Sequence, residues 1–196
     1  MSGLPAGSWC RFENFNPSWH PETNIVLEQA IAECRAYVDD VLDGNKEQPM
    51  MLTLAGAVGT GKSHLLQSIA WELMEHGMQP RYVFTPDWLA WLRKTFSPDA
   101  PVDFEHLYES YAQLPVLLLD DLGAERASEW TIEVLGRIVD RRYREKRPLV
   151  VATNKGPWDK ATLDQFGFRL IDRLFDTGSG RVRVVSTGTR SYRTGH

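Results

Sequence analysis

The chain has 196 residues, 42% of them hydrophobic, enough for one well-buried α/β domain and too few for two full ones. Its two cysteines, Cys10 and Cys34, stand in no metal-ligand spacing, which argues against a disulfide framework or a zinc module and favours a reducing, cytoplasmic setting. With a formal charge of −4, affinity for nucleic acid has to come from a local basic patch; no run approaches the roughly 18 apolar residues of a membrane span, and MSGLPAGSW has no secretory character.

Residues 1–21 carry Pro, Trp and polar groups without periodicity and read as an irregular lead-in to a single domain over 22–196. Apolar residues at loosely helical spacing predict a helix over 24–42, stopped by the turn signal DGN. MMLTLA (50–55) then reads as a buried strand, 62–76 as a helix ended by Gly77, and RYVFT (81–85) as a second strand. Thr85-Pro86-Asp87 opens a helix reaching about Phe96, and a short helix covers 104–113. PVLLLD (115–120) is a strand buried on both faces, Ser128 caps a helix to Arg144, and PLVVAT (148–153) and RVRVVST (181–187) are further strands. Such alternation predicts an α/β fold with a mostly parallel central sheet flanked by helices.

Within that pattern, Gly56-Ala57-Val58-Gly59-Thr60-Gly61-Lys62-Ser63 fits G-x-x-x-x-G-K-[ST], after a strand and at the opening of a helix. Glycines let the backbone curl so that successive N–H groups and the helix N-terminus converge on phosphate oxygens. The nucleotide-binding set is therefore Gly56, Ala57, Val58, Gly59, Thr60, Gly61, Lys62, Ser63 and His64, with Lys62 directed to the β- and γ-phosphates and Ser63 to Mg²⁺. The expected ligand is a nucleoside triphosphate with Mg²⁺; the loop alone does not separate ATP from GTP, nor a small-molecule kinase from a GTPase or a mechanical ATPase.

Asp120 and Asp121, in LLLDDLG, end a buried strand at the sheet edge where the loop also lies. Asp120 suits water-mediated Mg²⁺ ligation and Asp121 polarisation of the attacking water. Asn154, ending VATN, delivers a polar side chain to the same edge and is suited to hold that water from the side opposite Lys62. RYVFT lies in sequence between the loop and the acids; resemblance to phosphate-loop ATPases with an inserted central strand implies water as the phosphate acceptor.

The ordered set RFENFNP (11–17), GAVGTGKSHL (56–65), LLLDDLGAE (117–125), EWTIEVLGRIVDRRY (129–143), RPLVVATN (147–154), RLIDRLFD (169–176) and SYR (191–193) resembles the AAA+ domain of DnaC-like bacterial helicase loaders. The resemblance covers nearly the whole chain from about residue 11. It implies an AAA+ ATPase without a separate α-helical lid, single-stranded DNA and a hexameric replicative helicase as partners, and self-association into a helical or ring-like oligomer. It makes Asn154 the first sensor, Arg173 the arginine finger that reaches a neighbouring subunit, and Arg193 the second sensor; as ordinary residues, Arg173 would pair with Asp172 or Asp176 and Arg193 would be a solvated tail. Loaders of this family carry a helicase-gripping domain ahead of the FENF-like segment, whereas ten residues precede Arg11 here, so the client is the weakest link. An IstB-like transposition ATPase, acting on duplex DNA and a transposase, shares the core and the SYR ending; a small-molecule phosphate-loop kinase fits less well with Asn154 and the late arginines.

For DNA contact, a helical wheel places Trp88, Leu89, Leu92 and Phe96 on one buried sector and Trp91 at its edge near Lys94. Trp91 reads either as helix packing or as a stacking surface. Arg137, Arg141, Arg142, Arg144, Lys146 and Arg147 read as a solvated, salt-bridged face supported by Glu133, rather than as the DNA site.

Overall fold

The computed structural model describes residues 2–17, 24–95, 104–124, 128–156 and 160–192. Five strands, β1 (Met51–Ala55), β2 (Pro80–Phe84), β3 (Val116–Leu122), β4 (Leu149–Thr153) and β5 (Val182–Ser186), form one parallel sheet in the order β2-β3-β4-β1-β5. Between them run α1 (Asn24–Asp43), α2 (Lys62–Glu75), α3 (Thr85–Lys94), α4 (Phe104–Ala112), α5 (Glu129–Arg144), α6 (Lys160–Phe166) and α7 (Phe168–Phe175). Among the described residues no helix follows β5, and no helix is long and apolar enough to cross a membrane.

Two-residue alternation sends each strand into two cores. Leu52 and Leu54 of β1, Val116 and Leu118 of β3 and Val150 and Ala152 of β4 face α1 and α2. Met51, Leu117, Leu119, Leu149 and Val151 face the other side, against α3, α4, α5 and α7. With both faces covered, the strands read as unbroken apolar runs.

The predicted elements recur within two residues at their ends, and Ser128 caps α5 by accepting from the Thr131 amide at 3.2 Å. The inserted central strand is present: it is β4, between β1 and β3, whereas RYVFT, which precedes the acids in sequence, lies at the sheet edge as β2. Two expectations need correction. Arg142 does not belong to the solvated stripe: it is wholly buried. The stripe is salt-bridged as expected, yet Arg137 pairs with Glu105 of α4 at 2.8 Å rather than with Glu133, and Arg141 bridges Glu109 and Glu145.

The lead-in is irregular apart from a 3-10 turn at Phe12–Asn14, but its described part is bound into the domain. Phe12 is buried among the side chains of α1 and α2, and Ser2 O accepts from the Tyr82 amide at 2.8 Å, along the open side of β2.

Candidate nucleotide-binding site

Parallel strands deliver the ends of β1, β3 and β4 to one edge of the sheet. There a cavity of about 560 Å³ opens, walled by the loop from Val58 to His64, by Asp120 and Asp121, and by Asn154. Gly56 and Ala57 stand behind the wall, where their carbonyls accept from Lys62 Nζ at 2.9 and 2.6 Å. Two glycines of the loop are required by geometry. Gly61, at φ 93°, begins α2, and a Cβ there would collide with the Phe15 ring; Gly59, at φ 81°, lies against Ser191 and its carbonyl accepts from the Tyr192 amide at 2.8 Å.

The acids are fixed tightly. Asp120 is 3% exposed; its Oδ1 accepts from Ser63 Oγ at 2.9 Å and from the Asp121 amide at 2.9 Å, and its Oδ2 accepts from the Tyr82 hydroxyl at 2.6 Å. Burial pushes its carboxyl above the ordinary range, and the three donors oppose that rise. The β3–β4 register shifts between Leu119 and Leu122, and within that bulge Asp121 takes φ 55°, a left-handed conformation that Asp tolerates better than most residues. The shift turns Asp121 towards the cavity, where a regular strand would have put successive side chains on opposite faces. Asn154, just beyond β4, is exposed and lines the same cavity.

Ser63 and Asp120 therefore offer two hard oxygen donors that already meet, a set that fits Mg²⁺, which is commonly held by one or two protein oxygens together with phosphate and water.

Sequence reasoning missed the other wall. Trp9, Cys10, Asn14, Phe15 and Tyr192 also line the cavity. His64 stands between the first and fourth of these, its ring edge-on to Trp9 at 5.7 Å and to Phe15 at 5.0 Å, while one ring nitrogen meets Arg11 O at 2.9 Å. Burial holds its pKa below the ordinary value. The FENF segment had been noticed as a motif; that it closes over the loop has no local signal.

Arg173 is not among these residues. It lies on α7, where its Nη1 meets Asp172 at 2.8 Å, its Nε meets Asp140 of α5 at 3.4 Å, and its guanidinium covers the Tyr143 ring at 4.6 Å. Asp176 instead accepts from Tyr143 at 2.5 Å. Arg193 lies outside the described residues.

A parallel sheet with a phosphate loop after β1, an acid pair after β3 and a polar residue after β4 defines a phosphate-loop ATPase domain of AAA+ type. A family model of the bacterial DnaA ATPase domain matches residues 24–178, and the chain belongs to that family. It is also similar to the replicative helicase loader DnaC of Escherichia coli (strain K12), at 29% identity over 174 residues, 88% of this chain and 66% of that protein. The crystal structure of the DnaC helicase loader superimposes with a TM-score of 0.67 at 23% identity, covering 90% of this chain and 96% of that one. AMPPCP-bound DnaA from Aquifex aeolicus gives 0.66 at 23% identity, over 90% of this chain and 50% of that one. At these identities the two structures speak for the fold. The chain spans about two thirds of the length of the curated relatives it matches.

Proposed function

We propose that this domain binds ATP with Mg²⁺, hydrolyses it at a contact between subunits, and acts in DNA replication by placing a hexameric replicative helicase on single-stranded DNA. The observation that carries the reading is the convergence of the loop, Ser63, Asp120, Asp121 and Asn154 on one cavity. Amides of residues 58–63 and the N-terminus of α2 take the phosphates, and Lys62 Nζ exchanges the carbonyls of Gly56 and Ala57 for phosphate oxygens. Ser63 and Asp120 hold Mg²⁺, which neutralises charge on the transferring phosphoryl group. Asp121 orients the attacking water and draws on its proton, with Asn154 on the water's other side. Trp9, Phe15 and Tyr192 form an aromatic wall suited to the nucleobase. Arg173 serves the next subunit's site in the assembled oligomer, and Arg193 serves as second sensor on family likeness.

Asp121→Asn is expected to leave ATP affinity near wild type and to lower turnover by about 10²-fold or more. Asn accepts the left-handed backbone as readily as Asp, and the oxygens of Asp120 are untouched. A parallel loss of binding and turnover would reject the division of roles between the two acids.

The proposed DNA surface is α3. Trp91 is 44% exposed, packs its ring at 6.4 Å from Tyr111, and stands near the exposed Lys94, whereas Trp88, Leu89 and Leu92 fill the core. With ATP present, the wild-type chain is expected to leave a hexameric helicase encircling closed single-stranded DNA circles. Replacing both Trp91 and Lys94 by alanine should abolish loading while sparing ATP binding, since each lost stack is worth about 1–3 kcal/mol. Capture of a transposase with duplex DNA, and no helicase on the circles, would overturn the loader reading.

A further inference from the structure

We propose that Tyr82 is the positioning residue of the Mg²⁺ acid, holding Asp120 Oδ2 through its phenol. The proposal rests on the reading of Asp120 as a Mg²⁺ ligand.

Tyr82 donates its phenol proton to Asp120 Oδ2 at 2.6 Å. The amino-terminal strap of residues 2–15 grips the main chain of the same residue, because Ser2 O accepts from the Tyr82 amide at 2.8 Å.

The other carboxylate oxygen, Oδ1, faces Ser63. A carboxylate has one plane, so the phenol that fixes Oδ2 also fixes the direction in which Oδ1 is offered. Without the phenol, Oδ2 of a 3%-exposed carboxylate is left short of a donor, and the group recovers one by rotating Oδ1 away from Ser63. That change spoils the metal site and leaves the loop amides and Lys62, which hold phosphate, where they are. β2 sits at the edge of the sheet and carries no other part of the nucleotide machinery except the Phe84 rim of the cavity, which isolates the effect of Tyr82.

The test measures ATP affinity by calorimetry, once in EDTA and once in Mg²⁺, for wild type and Tyr82→Phe. Phenylalanine keeps the ring in the core, and thermal unfolding checks that the fold is held. We expect equal affinities in EDTA and a gain from Mg²⁺ that is about tenfold smaller in Tyr82→Phe than in wild type. A wild-type gain that Tyr82→Phe leaves whole overturns the proposal alone. A Tyr82→Phe chain that loses affinity equally in EDTA and in Mg²⁺ also overturns it, since the ring would then serve the cavity as a whole. Absence of any Mg²⁺ gain in wild type overturns the metal-site reading and the proposal with it.

Discussion

A mixture of Lys62→Ala and Arg173→Ala subunits is expected to hydrolyse ATP although neither variant does so alone. Lys62→Ala loses the main cation facing the γ-phosphate, in chemistry where positioning and electrostatics supply most of the rate, but it retains an intact Arg173. Arg173→Ala keeps the whole cavity and lacks the cation proposed for the neighbour's transition state, a contribution of about 10³ to 10⁵ in rate for arginine fingers. The geometry of one chain is compatible with this division, since Arg173 lies on α7, outside the cavity of its own subunit, and is held meanwhile by Asp172 and Asp140. Turnover per subunit should accordingly climb with protein concentration. The assignment is lost if the mixture stays inactive where wild-type subunits demonstrably assemble, or if Arg173→Ala alone hydrolyses ATP at the wild-type rate. Arg169 would then be the next candidate: its side chain is 75% exposed and meets Asp140 at 3.0 Å.

The largest stability effect is expected at Arg142, where replacement by methionine should cost about 3–5 kcal/mol, read from the midpoint of chemical unfolding. Arg142 is wholly buried, and its guanidinium, pushed down to about 10 by burial, donates to main-chain carbonyls. Nη1 reaches Tyr111 O at 3.2 Å and Ala112 O at 3.0 Å; Nη2 reaches Leu114 O at 2.9 Å and Pro148 O at 2.5 Å. One side chain thus satisfies the end of α4, the entry to β3 and the entry to β4. Methionine fills much of the volume but leaves those carbonyls without a donor. Arg142→Lys should fall between the two, because an ammonium cannot reproduce the planar fork. A methionine variant within about 1 kcal/mol of wild type would mean that water or a shifted backbone replaces the donors.

The loop, the acid pair and Asn154 were legible because each is bound to a chain-order constraint. A strand must end before the loop, the loop must open a helix, and the acids must sit at the carboxyl end of a later strand. The burial of Arg142 also had a signal: Leu135, Ile138, Val139 and Arg142 follow the 3, 4, 7 spacing of the inner face of α5, and counting it as basic hid that periodicity. Its acceptors lie six to thirty-one positions away, and no pattern names them. The place of β4 between β1 and β3 was illegible for a similar reason, since strand order depends on how crossovers stack and not on sequence order. Trp9, Phe15 and Tyr82 enter the site through packing of the lead-in and of an edge strand, with partners about 40 or more residues distant for the last two.

The two outermost described stretches of the chain both touch the phosphate loop, Phe15 against Gly61 and Ser191 and Tyr192 against Gly59. Mechanically, the nucleotide pocket is clamped between the two leads of the polypeptide. A load carried by sequence joined downstream of Tyr192 arrives at the phosphate loop before it reaches the sheet, whereas one from the other lead meets β2 at Ser2 before it reaches Phe15. Tension from a module attached after Tyr192 and occupancy by nucleotide therefore work on one spring.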